Sequence, residues 1–201
     1  MVDLVTQAIG RFGYFGVIFL MLVETLFPPI PSEVIMPLVG LAAARGEIAI
    51  GGAVLAAVIG STAGALAWYG LARAYGRDRL IALSGRYGRW IGLTPSSVDR
   101  ATTAFARRGG LAVFVARILP GARVFISVPA GLSHMSLLPF LGFTVAGFAV
   151  WYGFLGIVGF AFSDSIGSSL FWLAALLATL AAVPLLKAVK DSRPRKEDGQ
   201  N

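Results

Sequence analysis

Residues 115–132 read VARILPGARVFISVPAGL, and they are the most informative part of the chain. The stretch is apolar enough for the interior of a membrane, yet it carries Arg117 and Arg123 together with Pro120 and Pro129. Ionisable residues within a bilayer are rare, and they face the protein interior or a water-filled cavity. We therefore expect these arginines to be buried within a membrane protein and to serve a site there.

The composition of the whole chain agrees with a membrane location. Of the 201 residues, 57% are hydrophobic and 13% are charged, whereas soluble domains have about 25% charged residues. The chain has no cysteine, which excludes disulfides and thiolate metal sites. Its N-terminus lacks the basic segment and cleavage site of a signal peptide, so the first residues are expected to stay in the mature protein. These features predict an all-α integral membrane protein.

The net charge of +7 comes mainly from two segments, 73–108 and 187–196. Because cytoplasmic loops are enriched in lysine and arginine, both segments and the C-terminus are predicted to be cytoplasmic. We interpret the charge as topological anchoring and contact with anionic membrane lipids, not as nucleic-acid binding. The polar tail at 191–201 is predicted to be disordered.

Outside those segments, the few charges divide the chain into apolar stretches at 12–44, 48–72, 109–163 and 165–186. The second and fourth each suit one spanning helix, since about 20 apolar residues cross the hydrocarbon core. The third is too long for one helix, and prolines and glycines interrupt its first half. The simplest solution is a re-entrant hairpin over about 110–133, open to the cytoplasm, followed by a spanning helix at about 137–162.

The first stretch, 12–44, is broken in the same way by Pro28, Pro29, Pro31 and Pro37. It is predicted to form a hairpin that opens to the outside, which places the N-terminus outside as well. An amphipathic surface helix is expected at the N-terminus, formed by Leu4, Val5, Ala8, Ile9 and Phe12. A second amphipathic helix is expected on the cytoplasmic face after Thr94 and Pro95.

The two halves resemble each other, which predicts one domain built from an inverted repeat. Each hairpin is followed by a helix with the same tripeptide, Trp68-Tyr69-Gly70 and Trp151-Tyr152-Gly153. The predicted domain covers 1–190: a first repeat at about 12–75, a connector at 76–108, a second repeat at 109–163 and a last spanning helix at about 165–187. Inverted repeats with interrupted helices are characteristic of secondary transporters, so the two hairpin tips are expected to meet at a site.

The candidate site consists of the charges within the two hairpins, Glu24, Glu33, Arg117 and Arg123. Each charge at the bilayer centre costs about 2.5–3.5 kcal/mol on insertion scales. Three interpretations are open: internal salt bridges that lock the hairpins, arginines that reach the headgroups, or an anion site. An arginine stays protonated and presents a planar fork that matches phosphate oxygens. Gly121 between the arginines would let backbone approach a ligand closely.

The anion-site interpretation gives a minimal mechanism for coupled transport. Arg117, Arg123 and Gly121 would bind phosphate, while Glu24 and Glu33 would carry protons. In the empty state the two glutamates would neutralise Arg123 and Arg117, and an incoming phosphate would displace them. Pro28, Pro31, Pro120 and Pro129 would shape the hairpins. His134 is open between a proton relay and an interfacial polar residue.

The motifs VETLFPPIPSEVIMPLVG and VARILPGARVFISVPAGLS, with patterns E…P.PxE and R-x-x-P-x-x-R…AG, resemble those of the DedA family, also called SNARE-associated or VTT-domain proteins. The resemblance covers about residues 12–190. It implies a bacterial inner-membrane protein with two opposed re-entrant hairpins, whose relatives translocate polyprenyl phosphate carriers such as undecaprenyl phosphate. Residue by residue, Glu24 and Glu33 match the family's paired acids, and Arg117 and Arg123 match its two essential arginines.

Rival functions follow from the same residues. A less selective phospholipid scramblase or a proton-coupled ion transporter would use the same fold, and a scaffold would use the charges for folding alone. A membrane phosphatase is disfavoured, because one histidine and no cysteine cannot build a two-histidine or multi-histidine site. We therefore expect a transporter rather than an enzyme, with no cofactor and no metal; a homo-oligomer is left open.

Overall fold

The structure is a computed structural model, and it describes residues 7, 9–27, 32–87, 109–119, 123 and 126–163, with the backbone alone for 77–87. The chain divides into two compact units, Met1–Ile166 and Gly167–Asn201, and everything described lies in the first. The predicted last spanning helix at 165–187, the tail at 191–201 and the helix after Thr94 lie outside the described residues, as does most of the predicted N-terminal surface helix.

Every regular element in the described part of the chain is an α-helix, which confirms the predicted all-α class there. The helices are α1 Tyr14–Leu26, α2 Ser32–Ala44, α3 Ile50–Tyr87, α4 Gly109–Ile118, α5 Ser127–Leu132 and α6 Leu137–Ala161.

Two of the described helices are long and apolar enough to cross a membrane, namely residues Ile50–Gly76 of α3 and the whole of α6. They contain 27 and 25 residues, and at 1.5 Å per residue they extend to about 40 and 37 Å. A hydrocarbon core is about 30 Å thick, so both exceed it. The apolar part of α3 ends at Gly76, whose φ of 70° is a backbone conformation that glycine adopts readily. These helices agree with the predicted spans at 48–72 and 137–162.

The shorter helices form two pairs, and the members of each pair pack on different long helices. In the first half, α1 packs on α3 and α2 packs on α6. In the second half, α5 packs on α3, while Phe114 and Arg117 of α4 lie against Gly147 of α6. Each long helix therefore packs mainly on one short helix from its own half and one from the other half.

Glycines allow backbone to approach backbone at these crossings. A Cβ at Gly60 of α3 would collide with the Ile18 carbonyl of α1, and one at Gly64 would lie 2.8 Å from Thr25 Cβ. A Cβ at Gly40 of α2 would likewise collide with the backbone of Gly156 in α6. A Cβ at Gly131 of α5 would collide with the backbone of Tyr69 in α3. Gly60 and Gly64 therefore serve helix packing, as is usual for small residues between membrane helices.

The outer faces of the helices are apolar. Phe15 and Phe19 of α1 are 79% and 64% exposed, and Leu138 and Ile157 of α6 are 82% and 62% exposed. The inner faces hold buried polar side chains, which lie at the crossings of the helices: Glu24, Thr25, Ser32, Ser61, Arg117, Arg123, Ser127 and Thr144. The polar groups are thus inside and the large apolar groups outside, as the bilayer requires of a protein that spans it.

Candidate functional site

The centre of the site is the guanidinium of Arg123, which both acids contact. Its Nη2 donates to Glu33 Oε2 at 2.9 Å and to Glu24 Oε1 at 3.3 Å. The three side chains are 6%, 13% and 4% exposed for Arg123, Glu33 and Glu24. Residues that are 99 and 90 positions apart in sequence are therefore in direct contact inside the protein.

Helix ends position the two carboxylates. Glu24 lies in the last turns of α1, where Thr25 Oγ1 lies 2.9 Å from the Met21 carbonyl and 3.2 Å from Glu24 Oε2, so these two acceptors share its one hydroxyl proton. Glu33 lies in the first turn of α2, where the helix dipole favours a negative charge. The end of α1 and the start of α2 therefore present both acids to the opposite half of the molecule.

Arg117 occupies a different environment, made of neutral groups. Its Nη1 donates to the backbone carbonyl of Arg123, and its Nη2 donates to Ser127 Oγ at 2.7 Å and to Thr144 Oγ1 at 3.5 Å. The guanidinium carbon lies 4.7 Å from the ring centre of Phe148, a cation–π distance. The residue is fully buried.

The expected pairing of one acid with each arginine is therefore wrong. Within the part of the chain that the structure describes, both acids pair with Arg123 and no carboxylate lies within salt-bridge distance of Arg117. The reason is geometric, because Arg117 lies on the face of α4 that packs against Gly147 of α6. Its side chain is enclosed by α5 and α6, whereas both acids come from α1 and α2.

Several buried donors around the two arginines have no hydrogen-bond partner among the described residues. They are Arg123 Nε and Nη1, Arg117 Nε, Ser32 Oγ and Trp151 Nε1. The Trp151 ring centre lies 5.9 Å from Arg123 Cζ, and Ser32 adjoins Glu33 in the chain. Buried polar groups are normally satisfied, so this cluster lacks acceptors. Neither Ser32 nor Trp151 was predicted from the sequence as a site residue, although the repeated Trp-Tyr-Gly tripeptide marked Trp151.

The two tyrosines of the repeated tripeptides are buried and join helices. Tyr152 donates to Ser61 Oγ at 2.9 Å, which links α6 to α3. Tyr69 donates to the Met135 carbonyl at 2.5 Å and accepts from Arg73 Nη1 at 2.7 Å. Both tyrosines therefore belong to the buried core of the described helices.

The remaining predicted site residues fall into two groups. Gly121, Pro28, Pro31 and Pro120 lie outside the described residues. Pro129 is buried within α5. His134 is exposed in the turn after α5, with Nδ1 3.1 Å from the Leu132 carbonyl, which favours the interfacial role. Within the described ranges, no three His, Asp or Glu side chains are grouped so that they could hold a metal ion.

The family model described as the VTT domain matches residues 30–161, which contain three of the four charges of the candidate site and both long helices. The chain belongs to the VTT domain family, also called the DedA family. The recognition from the two proline-containing motifs is therefore confirmed.

Curated relatives of this VTT domain protein carry different names. An alkaline phosphatase-like protein of Lactococcus lactis subsp. cremoris is 41% identical over 82% of this chain and 78% of its own length. Undecaprenyl phosphate transporter A of Staphylococcus aureus is 34% identical over 83% of this chain and 82% of its own length. The protein of the same name in Bacillus subtilis is 32% identical over 72% and 71%. No solved structure matches. With its two long apolar helices, the chain is a membrane protein of this family.

Proposed function

We propose that this protein is a transporter in the cytoplasmic membrane that translocates a polyprenyl phosphate carrier lipid, such as undecaprenyl phosphate, coupled to protons. The observation that carries the proposal is the buried guanidinium of Arg123 shared by Glu24 and Glu33 from the opposite half. Two relatives named undecaprenyl phosphate transporter A support the class of substrate. Hydrolysis, which the name of the Lactococcus relative suggests, is disfavoured because both acids already face a cation, which repels a metal ion.

The contacts of Arg123 support an exchange between phosphate and carboxylate. Both acids bind Nη2, while Nε and Nη1 have no partner among the described residues. A guanidinium can bind an oxyanion with two parallel hydrogen bonds in two ways, either through Nη1 and Nη2 or through Nε and Nη2. Nη2 takes part in both. A phosphate that takes such a fork therefore displaces at least one carboxylate from Nη2. The released carboxylate binds a proton, which couples phosphate binding to proton uptake.

Arg117 has a second role in this proposal. Two of its nitrogens are occupied by Arg123 O, Ser127 and Thr144, which leaves Nε for a ligand. It adds positive charge beside the phosphate site and, through the Arg123 carbonyl, fixes the backbone that carries the Arg123 side chain.

The exchange of packing partners between the halves supports the proposed topology. The pairs α1–α2 and α4–α5 are opposed re-entrant hairpins, and each contributes one helix to the long helix of the other half. An inverted repeat of this kind alternates access by rocking one repeat against the other. We place the whole transporter in a single domain over 1–190, with the C-terminus in the cytoplasm and the N-terminus outside.

Reconstituted protein tests the phosphate role. Proteoliposomes with undecaprenyl phosphate in one leaflet are assayed for its appearance in the other leaflet. Arg123→Lys retains the charge that both acids require but loses the planar fork, so it is expected to fold and to translocate no faster than protein-free vesicles. Arg45→Lys, at an exposed position, is the matched control and should equal wild type. Full activity of Arg123→Lys would contradict the proposal, and equal movement of phosphatidylethanolamine would indicate a scramblase instead.

The proton role needs a separate measurement. Wild-type translocation is expected to accelerate when a pH gradient is imposed across the vesicle. Glu24→Gln and Glu33→Gln cannot release a proton, so each should lose this response even where some translocation without a gradient persists. If both variants respond to the gradient as wild type does, the carboxylates do not carry the protons.

A further inference from the structure

The buried donors around Arg123 require an acceptor that the described protein does not supply. Arg123 is 5% exposed and Ser32 is fully buried, yet Arg123 Nε and Nη1 and Ser32 Oγ have no partner among the described residues. A buried donor without an acceptor is destabilising, so such groups are rare unless a ligand completes them. Several of them around one cation indicate an anionic ligand with several acceptor oxygens.

The two described tryptophans of the repeated tripeptides differ in this respect. Trp68 donates its indole N–H to the Thr25 carbonyl at 3.2 Å. Trp151 occupies the equivalent place in the second repeat, but its Nε1 is buried and has no partner in the described part of the chain. Its ring centre is 5.9 Å from Arg123 Cζ, so the free indole N–H belongs to the surroundings of the same guanidinium.

Ser32 belongs to the first half of the chain, at the start of α2, whereas Arg123 and Trp151 belong to the second half. The carboxylate of the next residue, Glu33, contacts Arg123 Nη2. Ser32 is therefore the chain neighbour of a residue that is ion-paired with Arg123. It also lies at a helix N-terminus, whose partial positive charge favours an anion. Its complete burial, and the absence of a described partner for Oγ, distinguish it from an ordinary helix-capping serine.

We propose that Trp151 Nε1 and Ser32 Oγ are additional binding groups for the phosphate of the transported lipid, and that they select a monophosphate ester. This inference rests on the proposed function and adds residues to the same site. A monoester phosphate has three terminal oxygens, which accept from the Arg123 fork, the Trp151 indole and the Ser32 hydroxyl together. In a phosphodiester headgroup a second ester group replaces one of these three oxygens, so one of these donors faces an ester group instead of a charged terminal oxygen.

Ligand binding to the purified full-length protein in detergent tests the proposal. Farnesyl phosphate is titrated against wild type, Trp151→Phe, Ser32→Ala and the matched control Trp68→Phe. Both tryptophan variants lose ring size equally, but only Trp151→Phe removes a donor that lacks a described protein partner. We expect farnesyl phosphate to bind about 10-fold more weakly to Trp151→Phe and Ser32→Ala, and to bind Trp68→Phe as it binds wild type. Unfolding temperatures are measured without ligand, where that of Ser32→Ala should be at least as high as that of wild type, because the substitution removes a buried hydroxyl without a described partner.

Two further titrations identify the source of the phosphate chemistry. Farnesol lacks the charge, so its binding should be the same in all variants. Inorganic phosphate and a short-chain phosphatidylglycerol are compared with farnesyl phosphate, and the monoester should show the largest difference between wild type and Trp151→Phe. A loss that is equal for the monoester and the diester would overturn the selectivity.

The outcomes separate this inference from the proposed function. If wild type binds farnesyl phosphate and Trp151→Phe and Ser32→Ala bind it equally well, the added binding groups are wrong while transport is unaffected. If the variants bind more weakly but the wild-type protein translocates no polyprenyl phosphate, the binding groups stand and the transport proposal fails. If wild type does not bind farnesyl phosphate at all, both are overturned.

Discussion

Arg117 and Arg123 are six residues apart and both buried, but their surroundings are opposite in character. Arg123 faces two carboxylates from the other half, with further donors that lack a described partner. Arg117 is enclosed by hydroxyls, a backbone carbonyl and two aromatic rings. A buried cation next to carboxylates can exchange them for another anion. A cation held by neutral groups of its own half has no carboxylate to exchange for another anion. It is therefore suited to keeping the same contacts while the site binds and releases its ligand.

The largest effect is expected from removing the cation that the two acids share. Arg123→Ala leaves Glu24 and Glu33 buried without their counter-charge, and breaking a buried pair in this way costs about 3–5 kcal/mol. We expect a low yield of folded protein, a lower unfolding temperature in detergent and no translocation.

A second substitution separates folding from function at this position. Adding Glu24→Gln to Arg123→Ala removes one of the uncompensated carboxylates, so it should restore much of the unfolding temperature but no translocation. If the double variant is as unstable as Arg123→Ala, the acids are not the cause of the instability.

The next largest effect is expected at Arg117. Arg117→Met keeps most of the side-chain volume but leaves the Arg123 carbonyl and Ser127 Oγ without their donor, at about 1–3 kcal/mol for each unsatisfied group. Since the Arg123 backbone is then less well fixed, translocation should also fall. In contrast to Arg123→Ala, adding Glu24→Gln should not raise the unfolding temperature, because no described carboxylate contacts Arg117. A rescue by Glu24→Gln would show that the two arginines share one environment.

The sequence predicted the helices and the charged residues of the site better than it predicted which charges pair. Hydropathy and proline breaks are local properties, so the spans at 48–72 and 137–162 and the two interrupted stretches could be read directly. The pairing depends on which face of α4 packs against α6, and the contact between Gly147 and Arg117 determines this. No periodicity in the short helix α4 encodes it. The donors at Ser32 and Trp151 were missed for the same reason, because only packing reveals whether a serine or an indole has a partner.

A glycine in α6 tests the packing that directs Arg117. A Cβ at Gly147 would lie 2.6 Å from Arg117 Cβ and 3.2 Å from the Phe114 carbonyl, so Gly147→Ala must push α4 and α6 apart. Overpacking of this kind costs about 1–3 kcal/mol. We expect a lower unfolding temperature and slower translocation. Gly153→Ala is the control on the same helix, since a Cβ there would have no described neighbour within 4 Å, and it should behave as wild type. If Gly147→Ala and Gly153→Ala lower the unfolding temperature and the translocation rate equally, the loss comes from reduced flexibility of α6 and not from the contact with Arg117.

The smallest effects are expected from removing the two hydroxyls that bind Arg117. The relative size of the two losses of stability tests whether hydrogen bonds hold the Arg117 side chain in place. Ser127 Oγ accepts from Nη2 at 2.7 Å, whereas Thr144 Oγ1 lies at 3.5 Å, the limit of a hydrogen bond. Ser127→Ala should therefore lower the free energy of unfolding by about 1–2 kcal/mol, and Thr144→Val by less than about 0.5 kcal/mol, because it keeps the shape and loses only a long contact. Thermal unfolding of both variants in the same detergent measures the difference. If Thr144→Val is the more damaging, the aromatic rings and the packing of α6 hold Arg117, and the hydroxyls contribute little.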